Sequence, residues 1–262
     1  MSGVFDIGRV LQRLFGVLGR NFIEFLMLSM LLVGAPTVVL GLVQLSYFAR
    51  LIAPLGPAIL PLGLATGLIA IVVSVSANAV LQGAVIHGTV SDLAGKRATF
   101  GECVGTGLRY LLPLVGIGIV SSIGVGIGVV LLIVPGVLLA LAWCVAAPVQ
   151  VIERRGVFGA FDRSAELTRN HRGSIFGLMV IYFVVQLVLT SVVTGALLGS
   201  AFSLTNLAAR DSDTQSIVVT ISNFIVQTAT GLIGAAGVAS VYYELRQIKE
   251  GVGAEQLAAV FD

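Results

Sequence analysis

Six long apolar stretches set the pattern of this chain, at roughly residues 22–49, 62–90, 110–134, 137–151, 174–199 and 216–241. None contains Lys or Arg, and the only acid within any of them is Glu24, at an edge. Most exceed the about 20 residues that a helix needs to cross the hydrocarbon core of a bilayer. In that medium a backbone must satisfy its own polar groups, which favours helices. The pattern predicts an all-α fold in a single domain, residues 1–262: an integral membrane bundle of six transmembrane helices with short cytoplasmic interfacial helices.

Basic residues between the stretches fall in bands. Of fifteen Lys and Arg residues, thirteen lie in the N-terminal arm, the second and fourth connections and the C-terminal tail. Only Arg50 and Arg210 lie in the other three connections. This asymmetry predicts a multi-pass protein of the cell inner (plasma) membrane with both termini in the cytoplasm. Composition agrees: the charged fraction is 11%, against about 25% for soluble domains. The first twenty residues spread Arg9, Arg13 and Arg20 among Ile7, Val10, Leu11, Leu14 and Leu18, which reads as an amphipathic helix rather than a cleavable leader. Cys103 and Cys144 fall at different membrane depths, so no disulfide is expected.

The order of elements repeats three times: a basic amphipathic segment, an outgoing span, a charge-poor turn and a returning span. The amphipathic segments are residues 4–20, 100–109 and 158–172. Thr99 and Glu102 have the spacing of a capping box, and Phe100, Val104, Leu108 and Leu111 recur on one face, predicted to lie in the interface. Arg20 and Glu24, one turn apart, are expected to pair. Pro54, Pro57 and Pro61 are expected to break helicity between the first two spans. Val134, Pro135 and Gly136 are expected to form a tight turn between the third and fourth. Residues 203–215 form the one sizeable polar loop on the far side. Small residues four apart, such as Gly124 and Gly128 or Gly195 and Gly199, suit close packing of helices.

Candidate chemistry is sparse. Ser74, Asn78 and Gln82 make a polar stripe on the second span, and Ser216, Thr220, Asn223, Gln227 and Thr230 fall on one face of the sixth. Buried amides in hydrocarbon need partners, so both stripes are expected to face the bundle interior. On the cytoplasmic side Arg163 and Glu244 form a candidate ion pair tying the third amphipathic segment to the tail. No arrangement of residues suggests a catalytic, cofactor or metal site, and the basic segments lack the interleaved aromatics of a nucleic-acid surface.

Four segments (residues 99–113, 131–153, 160–169 and 241–251) together resemble the bacterial membrane-domain family fused to some glycerophosphodiester phosphodiesterases and the related YciC-like inner-membrane proteins. The resemblance implies a six-helix inner-membrane protein. It does not imply phosphodiesterase activity, because in the fused enzymes the catalytic groups sit in a separate soluble barrel. The resulting expectation is a non-enzymatic envelope component that uses no cofactor and binds membrane lipids, another membrane protein or a second copy of itself. The alternative is a carrier or channel for a small polar or lipid-like solute.

Overall fold

The computed structural model describes residues 5–41, 59–93, 95–96, 98–201 and 212–251. Among these residues there is no strand. The helices are α1 (Ile7–Arg20), α2 (Phe22–Gly41), α3 (Ile59–Leu93), α4 (Phe100–Arg109), α5 (Leu111–Leu131), α6 (Ile133–Trp143), α7 (Ala146–Glu153), α8 (Gly156–Thr168), α9 (Arg172–Ala201) and α10 (Ser212–Glu250). Six units are long and apolar enough to cross a membrane: α2, α3, α5, α6 with α7, α9 and α10. Their outer faces are dense with Val, Leu, Ile and Phe, as expected of surfaces that meet lipid rather than water.

The threefold order of elements is visible in the backbone. Each of the amphipathic helices α1, α4 and α8 is followed by a short break, at Asn21, at Tyr110 and at residues 169–171, and then by two spans. Asp6 caps α1 by accepting from the amides of Gly8 and Arg9. Thr99 caps α4 in the expected capping box, with reciprocal bonds to Glu102. The Thr99 amide and hydroxyl together hold the Glu102 carboxyl below the usual carboxylate range.

Several boundaries differ from the sequence pattern, each for a local reason. The turn between the third and fourth spans is Leu132, whose extended backbone ends α5. Val134, Pro135 and Gly136 instead lie in the first turn of α6, where a proline loses no hydrogen bond. The fourth span runs from Ile133 to Glu153 and is broken at Cys144 and Val145. Residues 212–215 belong to α10, not to a loop, while Arg50, Pro54, Pro57, Arg210 and Asp211 lie outside the described residues. Pro61 sits in the first turn of α3. Within α2 a π-helical turn, Met30–Gly34, was not legible beforehand.

The buried face of α4 is Cys103 and Gly107, and Leu108, in the row predicted to meet the interface, is exposed. The reason is steric: a Cβ on Gly107 would come within 2.4 Å of the Val80 carbonyl oxygen on α3. Only glycine permits that approach, so the small face turns inward and Leu108 turns out. Burial also pushes the Cys103 thiol up to about 12, and both cysteines are free. The Gly124 and Gly128 pair behaves as expected. Gly124 abuts the Trp143 ring and Gly128 abuts Gly136, which closes the hairpin of α5 and α6. A Cβ on Gly195 would meet nothing within 4 Å among the described residues.

Candidate functional site

Two features stand out. The first is an electrostatic face where α1, the C-terminal ends of α3, α7 and α10, and all of α8 meet. Glu244, on α10, is 1% exposed and lies 2.5 Å from Arg13 and 3.1 Å from Arg9, both on α1. Arg13 also donates to Gln247 and stacks over the Tyr243 ring at 4.7 Å. Glu153, at the end of α7, binds Arg155 and Arg163 and accepts from the Tyr242 hydroxyl at 3.0 Å. Arg163 further reaches Glu166 and Glu250, and Arg246 holds Glu250. The Arg163 guanidinium keeps the Glu166 carboxyl below the usual carboxylate range.

The predicted Arg163–Glu244 pair is therefore corrected. Arg163 does bind the tail, but through Glu250, and Glu244 binds α1. Lys249 strengthens the same seam by donating to the Glu166 carbonyl. The Arg20–Glu24 pair is corrected too: Arg20 reaches across to Asp92 on α3 at 2.6 Å, and Asn21 donates to the same carboxylate. A carboxylate offered both a guanidinium and an amide outcompetes one left exposed at the lipid edge.

The second feature is a cavity of about 920 Å³. Its walls come from α3, α5, α9 and α10, and α1 closes the end nearest the electrostatic face with Val10, Leu11 and Leu14. Its rim includes exposed apolar residues such as Ile119, Ile123 and Val185, so it opens on the outer surface of the bundle. The lining is apolar apart from Ser74, Asn78, Gln82, Ser122, Tyr182, Thr230 and the Cys144 thiol. No Lys, Arg, His, Asp or Glu lines it among the described residues. Nor do those residues include a group of three His, Cys, Asp or Glu side chains placed to hold a metal ion.

The structure places the two polar stripes differently. Ser74, Asn78 and Gln82 all line the cavity. Asn223 and Gln227 are exposed on the outside of α10, and Thr220 packs against Gly41. The expectation that both stripes face inward is thus corrected for Asn223 and Gln227, while Thr230 of the same stripe does line the cavity. At 1.5 Å per residue, Asn223 stands about 30 Å along α10 from Glu244, which reaches the opposite interface. Water and headgroups can satisfy an amide there. Sequence reasoning passed over Ser122 and Tyr182.

Comparison with known proteins finds bacterial relatives with membrane-protein names. One is a UPF0259 membrane protein from Pectobacterium carotovorum subsp. carotovorum, 28% identical over 119 residues that make up 45% of this chain and 47% of that protein. Another, from Yersinia pestis, is 28% identical over 112 residues, 43% of this chain and 44% of the relative. The matched region thus spans less than half the length of these relatives. Their names state membrane residence and no activity. No family model matches the chain, and no solved structure matches it. With six apolar helices of spanning length, the chain is an all-α membrane protein.

Proposed function

We propose that the protein is a non-enzymatic component of the bacterial inner membrane that holds a lipid-like molecule in the cavity between α3, α5, α9 and α10. The observation that carries this reading is the cavity itself. Its volume lies near the upper end of the roughly 300–1,000 Å³ typical of small-molecule sites. Its walls are apolar with a few hydrogen-bonding groups, and its rim opens where the bilayer would be. A chain of methylenes loses nothing on moving from lipid into such a space and gains close packing.

Gly118 provides the test. It lines the cavity on α5, and a Cβ there would meet nothing within 4 Å. Gly118→Trp should therefore fill the space without unfolding the helix. Native mass spectrometry of the full-length protein from mild detergent should show bound lipid on the wild type and at least a fivefold loss on the variant. Equal lipid on both, or none on either, would remove the proposal. The same spectra report a co-purifying membrane protein or a second copy, the other partners in keeping with an exposed apolar surface.

In this reading the electrostatic face is cytoplasmic, because it gathers most of the described basic residues. Reporter fusions at Lys96, Arg163 and Lys249 should read as internal, and those at Arg50 and Asp211 as external. An internal signal at Asp211 would overturn the assignment. A second reading, a carrier for a small polar solute, is favoured by Asn78 and Gln82 in the cavity wall. Under it, Asn78→Leu should abolish flux into liposomes while Gln227→Leu, outside the cavity, should not.

A further inference from the structure

The polar groups of the cavity are not equivalent. Four satisfy themselves on main-chain carbonyls: the Asn78 amide donates to Ser74 at 2.8 Å, Ser122 to Gly118 at 2.7 Å, Thr230 to Val226 at 2.8 Å, and the Tyr182 hydroxyl to Thr230 at 3.2 Å. The Ser74 hydroxyl and Gln82 make no such bond among the described residues, and of the two only Gln82 is half-buried. The Gln82 side chain lies in the cavity wall. Two donors and an acceptor are left facing an apolar space, which is an expensive arrangement unless something enters to meet them.

Depth gives this group its meaning. Gln82 lies ten residues before Asp92 on α3, about 15 Å from the electrostatic face at the helical rise. That is about half of the 30 Å hydrocarbon core. Measured likewise from Arg172, Tyr182 lies about 15 Å deep, and Ser122 lies about 17 Å from Leu111. Three helices thus present neutral hydrogen-bonding groups at mid-membrane depth. Among the described residues no Lys or Arg lines the cavity, and Arg9, Arg13, Arg163 and Arg246 are committed to carboxylates at its closed end.

We infer that the occupant is an uncharged, oxygen-bearing lipid whose carbonyl or hydroxyl reaches the Gln82 amide at mid-depth. The inference rests on the reading that the cavity holds lipid, and narrows it to a chemical class. A phosphate at this level would be stranded without a counter-charge. A phospholipid could insert only its tails and would leave Gln82 unmet. Diacylglycerols and isoprenoid quinones both carry the required chemistry, a long apolar body with one or a few neutral oxygens.

The test is a competition read by native mass spectrometry on full-length protein, with dioleoylglycerol, ubiquinone and phosphatidylglycerol offered at equal concentration. The wild type should retain dioleoylglycerol or ubiquinone over phosphatidylglycerol, and whichever of the two is preferred identifies the source. Gln82→Leu keeps the volume and removes the amide. It should lower retention of the preferred neutral lipid about three- to tenfold, the weight of one hydrogen bond, and leave phosphatidylglycerol unchanged. Retention of phosphatidylglycerol above both neutral lipids would overturn the inference while leaving the lipid-holding reading intact, as would a Gln82→Leu variant with unaltered selectivity. Binding of none of the three by the wild type would overturn both.

Discussion

Replacing Arg13 with Met is expected to destabilise the protein by about 3 kcal/mol, the low end of the range for breaking a buried ion pair from one side. The cause is what the substitution leaves behind. Glu244 is 1% exposed, and its carboxylate would lose the guanidinium at 2.5 Å and keep only Arg9. The loss stays at the low end because Arg9 can still approach. Arg9→Met should be far milder, within about 1 kcal/mol, since that side chain is half exposed and its charge is largely screened. Glu244→Gln should fall between the two, because it removes the buried charge together with the need for a partner. Thermal unfolding in detergent measures all three. Equal losses for Arg13→Met and Arg9→Met would contradict this account of the seam between α1 and α10.

Gly107→Leu should have an effect of similar size by a different route. A Cβ at that position would sit 2.4 Å from the carbonyl oxygen of Val80 and 2.9 Å from its side chain. Backbone cannot yield as a flexible side chain can, so α4 must lift from α3. Overpacking of this kind typically costs about 1–3 kcal/mol, occasionally more. Cys103 offers an independent readout. Its thiol is buried and held almost wholly protonated at neutral pH, pushed up to about 12. It should be inert to maleimide in the wild type and should react in Gly107→Leu. A variant with wild-type stability and an unreactive thiol would mean that α4 does not depend on this contact.

Much of the architecture was legible in the sequence because the bilayer imposes its own period. Six runs without a basic residue can hardly be anything but spans, and three amphipathic segments between bands of arginine place themselves at one surface. The capping box at Thr99 was legible for a similar reason, since both partners lie within one turn. Errors arose where the decision depended on a neighbouring helix. Glu244 was assigned to Arg163 because both emerge at one surface, but five helices bring cations and acids there, and their packing decides which pairs form. That Gly107 meets α3 was not legible either, because close approach of two backbones is decided by size and not by hydrophobicity. Thr220, Asn223 and Gln227 share one helix face, as Ser74, Asn78 and Gln82 do. Spacing gives a common face but does not say whether that face meets a cavity or an interface.

The central claim is that the cavity is filled by lipid rather than by water, and a spin label measures this directly. With Cys103 and Cys144 replaced by Ala, Gly118→Cys would carry a nitroxide into the space beside Ile119 and Ser122. In lipid vesicles, this account predicts strong relaxation by dissolved oxygen, which concentrates in hydrocarbon, and little by a water-soluble nickel chelate. Relaxation by the chelate comparable to that of a label at Lys96 would show an aqueous path through the bundle and contradict it.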